Sequence, residues 1–435
     1  MAFNQPKGTH DIYGIEAKTF KKIEDVFAGL AELYGFNEMR TPIFEATELF
    51  TRGVGDATDI VRKEMFTFDD KGGRSITLRP EGTAGVMRAI VSQKLYATDD
   101  LPLKYYYYGP VFRYERPQKG RYREFRQFGV ESVGVNSPFN DVEVVIFALT
   151  ALSYLGFEHV QLKINSIGGA TTREKYRTAL IDYFAHDIEH MCEDCHVRYE
   201  INPLRMLDCK VEEDQKIIAG APKIQDFLTP DEQTYFKKIT ETLDSFGIRY
   251  EIDHNLVRGL DYYSDFVFEF HYISEKGENY GAIGAGGHYD KLLADVGGPS
   301  LAGVGLAFGI ERLYLIMEDN QLLEKEALGL DVFVMNVGEN TVDDAFSILT
   351  LIRNSGFRAD MNMDKRSFKA LFKRAERVQA KLAVIIGDDE VAKSVVQIKD
   401  LHKEEQVTVA YEDIVAKLDE YLSADEHEHH HHEEE

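Results

Sequence analysis

From Phe20 to Tyr34 the residues Phe20, Ile23, Phe27, Leu30 and Tyr34 recur at steps of three and four. That spacing puts them on one stripe and predicts an amphipathic helix packed on a core near the start of the chain. The pattern then changes to runs of aromatic and aliphatic residues: Leu103 to Glu115, Tyr122 to Val135, Gln161 to Ile164, Tyr262 to Tyr272 and Ala302 to Phe308. Turns containing Gly or Pro separate them, which predicts the strands of one large, mainly antiparallel sheet. Between Thr171 and Arg249 the chain turns helical and charged before strand-like spacing resumes at Tyr250. A small, mainly helical insertion is therefore predicted at 171–249. From Leu330 onward LDVFVMNV, FRADM, LAVIIG, VQIKDL and VTVAY alternate with helical stretches through Ala345 to Arg353 and Ser367 to Lys381. Strands alternating with helices predict a separate α/β domain over 330–422. The expected fold class is α+β, with an antiparallel sheet core assembled from 1–170 and 250–325.

Composition adds limits to this picture. The 435 residues are 44% hydrophobic and 11% aromatic, enough for a core in each of two or three domains. The start, MAFNQPKGTHDIYG, has no basic stretch followed by an apolar one, and no run approaches the roughly 18 apolar residues that span a bilayer. With three cysteines, too few and too odd for a disulfide framework, the expectation is a cytoplasmic protein with no membrane contact. The net charge of -25 argues against indiscriminate nucleic-acid binding, because that affinity comes largely from counterions displaced by Lys and Arg. Any nucleic-acid contact has to be local. The tail at 423–435, ending DEHEHHHHEEE, cannot pack a core and is expected to be disordered or an added remnant.

The segment Tyr105 to Glu131, YYYYGPVFRYERPQKGRYREFRQFGVE, holds the densest candidate chemistry. Side chains alternate along a strand, so Arg113 and Glu115 share one face, and Arg123, Phe125, Gln127, Gly129 and Glu131 share another on the return strand. Facing one cleft, they would offer a cation, an aromatic ring, an amide and a carboxylate side by side. Such a set suits a nucleotide with a second, polar ligand: an arginine to neutralise charge on a phosphoryl group and a ring for a base. A solvated hairpin with ordinary surface charges is the competing account.

FRYERPQKGRYREFRQFGVE resembles motif 2 of the class II aminoacyl-tRNA synthetases, in the form found in histidyl-tRNA synthetases. MRTPIFEATELF, Met39 to Phe50, is similar to motif 1, which lies at the dimer interface in that family. GVGLAFGIERL, Gly303 to Leu313, is similar to motif 3, a strand entering a helix that carries a phosphate-binding arginine. LRPEGT (Leu78 to Thr83), LVRGLDYY (Leu256 to Tyr263) and GAGGHYDKL (Gly284 to Leu292) resemble the signatures that set the histidine enzymes apart. The resemblance runs from Lys7 to about Leu422.

It implies a histidine–tRNA ligase acting in two steps through a histidyl-adenylate, with ATP as substrate, Mg2+ on its β- and γ-phosphates, a tRNA for histidine as acceptor, and a homodimeric state. Glu81, Thr83 and Gln127 would hold the α-amino group of histidine, and Glu131 and Tyr263 its imidazole, with Tyr262 and Tyr289 in the same pocket. Arg113 and Arg312 would bind the α- and γ-phosphates, Phe125 would lie under adenine with Glu115 and Arg121 nearby, and Arg258 would act beside the α-phosphate. Arg113 and Arg258 also border the amino acid. Arg116 and Gln118, in the motif 2 loop, would approach the acceptor end of the tRNA. Read as residues alone, Glu81 could equally be a helix N-terminal charge, Tyr263 a core aromatic, and Arg258 half of a surface salt bridge.

One signature departs from its usual form GGRYDGL: His288 stands where an arginine is usual and Lys291 where a glycine is. That exchanges a permanent cation for a titratable one. The glycines of GAGG admit either a tight turn or close backbone packing. A non-catalytic relative, or a different ATP-dependent ligase of the superfamily, would be the rival functions. The retained Arg113, Arg258 and Arg312 weigh against the first, and LVRGLDYY and GAGGHYDKL against the second.

Two further patterns carry open alternatives. Cys192, Cys195, His196 and Cys209 in the insertion are loosely compatible with a four-ligand zinc site, with reduced structural thiols the favoured reading. In the last domain Lys365, Lys369, Lys373, Arg377 and Lys381 recur every four residues above an apolar face of Phe368, Leu371, Phe372, Ala375 and Val378. This is either a solvated lysine-rich face or a contact for the anticodon arm, as the resemblance implies for Lys369, Lys373 and Arg377.

Overall fold

A computed structural model describes residues 3–55, 58–323, 329–339, 341–364, 366–403 and 405–430, with backbone alone at 424–430. The chain divides into two compact units, Met1–Leu323 and Glu324–Glu435.

The first unit is built on β1 (Asn37–Glu38), β2 (Phe44–Ala46), β3 (Phe66–Asp69), β4 (Ser75–Leu78), β5 (Leu103–Phe112), β6 (Glu124–Val133), β7 (Val160–Gly168), β8 (Tyr250–Ile252), β9 (Ser264–Ile273), β10 (Asn279–Tyr289) and β11 (Gly303–Gly309). Eight of these form one sheet in the order β1-β5-β6-β11-β10-β9-β7-β8, while β2, β4 and β3 form a small sheet of their own. Only the two short edge strands pair in parallel, β1 with β5 and β8 with β7. The large antiparallel sheet is therefore as expected. The helices of this unit are α1 (Gly14–Leu33), α2 (Thr47–Val54), α3 (Thr83–Ser92), α4 (Pro138–Tyr154), α5 (Ala170–Phe184), α6 (Glu193–Ile201), α7 (Glu212–Ile218), α8 (Pro230–Ser245), α9 (Leu292–Asp295) and α10 (Ile310–Asp319).

The core follows the strand period of two. Phe128 and Val130 of β6, Phe266, Phe268 and Phe270 of β9, and Val304, Leu306 and Phe308 of β11 are buried with the stripe of α1 and with α4 and α10. Phe27 stacks on Phe128 and Phe308 at 4.9 and 5.0 Å. The alternate residues of the same strands are thereby left to line a site on the opposite face. Within the segment read as an insertion, α8 packs Ile239 and Leu243 into this core. Residues of α5, α6 and α7 join a second core with α3 and α9.

β10 was not visible as a strand. Its glycines serve close packing: a Cβ on Gly286 would lie 2.2 Å from the Gly305 carbonyl oxygen across the β10–β11 ladder. With glycine at four of its eleven positions and alanine at two more, the segment carries no clear strand period.

The second unit contains β12 (Val332–Asn336), β13 (Ala359–Met361), β14 (Leu382–Ile386), β15 (Val395–Asp400) and β16 (Gln406–Ala410), in the order β13-β12-β14-β15-β16. α11 (Val342–Asn354), α12 (Phe368–Arg377), α13 (Asp388–Lys393) and α14 (Ile414–His430) accompany them. The tail set aside from the fold at residue 423 instead continues α14 to His430. Ile414 and Leu418 are buried and Tyr421 and Leu422 pack against the same core, and extending an anchored helix is far easier than starting one. Residues 431–435 lie outside the described residues.

The predicted cationic stripe is shorter in the structure. α12 stops at Arg377, and Gln379 takes a left-handed φ of 50°, so Lys381 leads into β14. Lys365 lies outside the described residues. Lys369, Lys373 and Arg377 are exposed on the helix. Phe368, assigned to the apolar face, is 52% exposed and stacks edge-on against Phe372 at 4.8 Å. It stands at the first helical residue, beyond the reach of Leu371 and Ala375, which are buried.

No helix among the described residues is long and apolar enough to cross a membrane.

Candidate active site

A cavity of about 880 Å3 opens on the sheet face that the core leaves free. Its floor is the β5–β6 hairpin, in which Gly109 pairs with Gln127 and Val111 with Phe125. Arg113 follows the end of β5, where its backbone N–H still bonds the Arg123 carbonyl at 2.9 Å. Its Nε donates to the Pro80 carbonyl at 2.8 Å and its guanidinium lies 5.4 Å from the Phe125 ring centre. Glu115 stands between two cations, 4.0 Å from Arg113 and 3.8 Å from Arg121.

From the other side α10 brings in Arg312, whose Nη1 donates to the Ala282 carbonyl at 2.8 Å. Burial, and then the charge of Arg121, lower the pKa of Arg312. Two guanidinium groups near enough to oppose one another's charge mark this end of the cavity as a place for an anion. Arg258 enters across β9, paired with Glu269, which also accepts from His271 at 2.9 Å. The Arg258 guanidinium is 5.5 Å from the Tyr263 ring, and its Nε is buried without a partner. The Gln127 Oε1 and the Tyr107 hydroxyl are likewise buried and unpartnered. Buried groups of this kind are normally satisfied, so these three atoms are positions a polar ligand would complete.

Of the residues singled out from sequence, Glu81, Thr83, Arg113, Glu115, Arg121, Phe125, Gln127, Arg258, Tyr262, Tyr263 and Arg312 all line this one cavity. Four do not. Arg116 and Gln118 sit exposed on the hairpin loop. Glu131 and Tyr289 are fully buried beneath the floor, where Glu131 accepts from the Thr83 hydroxyl at 2.6 Å and the Tyr289 hydroxyl at 2.7 Å. Arg123, placed by alternation beside Phe125, instead turns away to cover the Tyr114 ring at 3.6 Å. Glu81 accepts from the backbone N–H groups of Thr83 and Ala84 at 2.7 and 2.9 Å. It thus caps the start of α3, as the helix-terminal reading expects, and also faces the cavity.

Tyr107 was missed. Its ring lies across the hairpin where a Cβ on Gly129 would come within 2.3 Å, and a run of four tyrosines gave no reason to choose one. Glu269 and His271 were missed as well, although a signal existed: they are two residues apart, the only ionisable pair on one face of the apolar run FVFEFHY. The insertion contributes Arg198 and Arg205 to the wall, which no local pattern could reveal.

The His288 substitution is settled by its surroundings. The ring is 1% exposed and bonds Asp141 at 3.0 Å and Asp290 at 3.1 Å. Burial opposes its charge, but the Asp141 carboxylate prevails and lifts its pKa to about 10. His288 therefore remains a cation through neutral pH, as an arginine would.

The chain matches two family models in succession. One described as "Histidyl-tRNA synthetase" covers residues 8–313, and one described as "Anticodon binding domain" covers residues 331–421. The chain belongs to the histidyl-tRNA synthetase family. A histidine–tRNA ligase of Geobacillus sp. (strain WCH70) is 46% identical over 426 residues, 97% of this chain and all of the relative. That of Bacillus subtilis (strain 168) is 43% identical, over 95% of this chain and 98% of the relative. The solved apo histidyl-tRNA synthetase of S. aureus superimposes with a TM-score of 0.80 at 36% identity, covering 96% of this chain and 100% of that one. The Nostoc sp. PCC 7120 enzyme shares the fold at 20% identity, with a TM-score of 0.68 and coverage of 97% of this chain and 100% of that one.

Within this family fold, Glu131 makes a specific prediction. Burial pushes its carboxyl up to about 8 from an ordinary 4.5. An acid whose folded pKa is raised stabilises the protein fully below its unfolded pKa and loses that contribution as pH rises through the folded one. In the ligand-free protein, Glu131→Gln should therefore resist urea better than the parent at pH 9, by on the order of a few kcal/mol, with little difference at pH 4.5. Parallel urea titrations at the two pH values check it, and equal curves at pH 9 would refute the buried-acid account.

Proposed function

We infer that the chain is a histidine–tRNA ligase. The observation that carries this is the meeting of Arg113, Arg258 and Arg312 with Glu81 and Thr83 in one cavity, above the buried Glu131 that Thr83 and Tyr289 hold, in a chain 42–46% identical to histidine–tRNA ligases over nearly its whole length. The histidine carboxylate attacks the α-phosphate of ATP and displaces pyrophosphate. A ribose hydroxyl at the 3′ end of the tRNA then attacks the adenylate carbonyl. No protein nucleophile is needed; orientation and charge stabilisation supply the rate.

In the proposed arrangement Arg113 and Arg258 flank the α-phosphate and the carboxylate, and Arg312 with Arg121 receives the γ-phosphate end. Adenine rests on Phe125 with Glu115 beside it. Glu81, Thr83 and Gln127 take the α-amino group, for which the free Gln127 Oε1 supplies an acceptor. Tyr263 and Tyr262 face the imidazole, with Glu131 reaching it from below once Thr83 or Tyr289 releases it. A histidine ring N–H would give that buried carboxyl a partner, and an analogue without one would leave it unpaired. Mg2+ would arrive on the phosphates. Glu64 lines the same cavity, and burial and then the charge of Glu115 raise its pKa.

The exposed Phe44 and Phe68 of the small sheet, with Ile43 just before it, support the homodimer, and the three free cysteines support a reducing, cytoplasmic setting. The proposed division is a catalytic domain at 1–170 and 250–325, an insertion at 171–249 and an anticodon-binding domain at 330–422. Arg116 and Gln118, exposed on the hairpin loop, would approach the acceptor end of the tRNA, and Lys369, Lys373 and Arg377, exposed on α12, the anticodon arm.

Pyrophosphate exchange measured with each amino acid in turn tests the ligase: exchange with histidine alone is expected, and exchange with none would overturn it. Lys373→Glu with Arg377→Glu should leave that exchange intact, because neither side chain enters the core of its unit. The double variant should weaken tRNA binding and flatten its salt dependence. Unchanged affinity and slope would reduce these residues to a solvated helix face.

A further inference from the structure

Three cysteines and an acid converge in the insertion, away from the proposed catalytic groups. Cys192 immediately precedes α6 and Cys195 lies in its first turn; Cys209 follows the short turn at 203–208, and Asp214 lies in α7. One ligand atom from each comes within 4.8 Å of all the others. Cys195, Cys209 and Asp214 are buried, at 0%, 4% and 1% exposure. The Cys192 and Cys209 sulfurs are 3.8 Å apart, and Cys209 Sγ lies 3.1 Å from Asp214 Oδ2. His196, which the spacing CEDCH had offered as the fourth ligand, is exposed and outside the group. Its place is taken by a residue with no motif relation to the cysteines.

We propose that Cys192, Cys195, Cys209 and Asp214 form a structural zinc site. A zinc–sulfur bond of about 2.3 Å in a tetrahedron sets neighbouring sulfurs about 3.8 Å apart, the separation seen here. That separation is far too long for a disulfide, whose sulfurs lie about 2.05 Å apart. Three sulfurs and one carboxylate oxygen, all within 4.8 Å of one another, select Zn2+ over the hard, oxygen-seeking cations. The Asp214 carboxylate is already oriented, accepting from the Cys192 backbone N–H at 3.2 Å. On binding, Zn2+ displaces the three thiol protons to solvent while Asp214 enters as the anion, so uptake strengthens with rising pH.

The site would have a definite consequence. It ties the start of α6 to the chain after 203–208, and between those ties lie Arg198 and Arg205, both in the cavity wall. Arg205 bonds the Gly259 carbonyl and lies 3.6 Å from Asp261, while Asn202 donates to Asp261 at 3.3 Å. Zinc would thus hold one wall of the cavity against the segment that carries Arg258.

The His-rich tail could itself bind metal, so the reference protein for the test is the full chain with His427, His429, His430, His431 and His432 replaced by Gln. It is produced in zinc-supplemented medium and purified without nickel resin. Elemental analysis should find stoichiometric zinc, and Co2+ exchanged into the protein should show the intense visible absorption of a tetrahedral thiolate site. Cys195→Ser and Asp214→Asn should each lose the bound zinc, whereas His196→Gln should keep it. A reference protein with no bound zinc and no cobalt band would overturn the proposal, and this holds even if a cysteine variant fails to fold. Zinc retained in a folded Cys195→Ser variant, or lost in His196→Gln, would overturn the assigned donor set.

Discussion

Replacing Arg258 or Arg113 with alanine should lower histidine-dependent pyrophosphate exchange by about 10²- to 10³-fold, which is about 2.7–4 kcal/mol of barrier. Both guanidinium groups are held by protein before any ligand arrives, Arg113 through the Pro80 carbonyl and Arg258 through Glu269. They therefore meet developing charge without having to reorganise. The two variants should differ in stability. Arg113→Ala leaves its carboxylate partner Glu115 with a second cation, Arg121, at 3.8 Å. Arg258→Ala leaves Glu269 with His271 as its remaining partner, so some loss of stability should accompany the loss of rate. Adding Glu269→Gln to Arg258→Ala should recover stability but not exchange. Steady-state exchange at saturating ATP and histidine, beside circular dichroism of each variant, checks this. Near-normal turnover in a folded variant would reject its assigned role.

Replacing His288 with alanine should destabilise the first unit by about 3–5 kcal/mol, the usual cost of removing one partner from a buried ion pair. Two carboxylates would lose their shared cation. Asp141, fully buried, would keep the Tyr235 hydroxyl at 2.9 Å, and Asp290 the Ser264 hydroxyl at 2.7 Å. The effect should depend on pH. A histidine whose folded pKa is raised stabilises the protein fully below its unfolded value of 6.5, and that contribution fades as pH rises through about 10. Parent and variant should therefore differ most at pH 6 and converge toward pH 10.5. His288→Arg, which carries the residue usual in this signature, should hold its stability to higher pH than the parent. Urea unfolding of the three proteins across that range reads the result, and a pH-independent gap between parent and His288→Ala would show that His288 stabilises by packing rather than by charge. Because Tyr289 follows His288 and donates to Glu131, the same variant should also loosen the floor of the histidine pocket.

The two arginines and the histidine differ in how visible they were beforehand. Arg113 and Arg258 stand in motifs whose residue types and spacing resemble the family, so their place in a site was legible in the chain itself. What His288 does was not, because its charge is set by Asp141, 147 residues away, and nothing local to the signature contains that carboxylate.

The same division holds throughout the protein. Periodicity along single elements determined α1, the β5–β6 hairpin, the antiparallel sheet and the alternating strands and helices after Leu330, because each buries one face and repeats its own pattern. Tertiary structure alone decided where that local order fails. β10 became a strand because its glycines let β11 approach closely. Gln379 ended α12 before the cationic stripe was complete. Asp214 took the position offered to His196. Glu131 went beneath the floor, bonded to Thr83 and Tyr289 at 48 and 158 residues' separation. Depth of burial, pKa and the fourth corner of a cluster depend on groups brought together from distant parts of the chain, and no period or spacing within one segment encodes them.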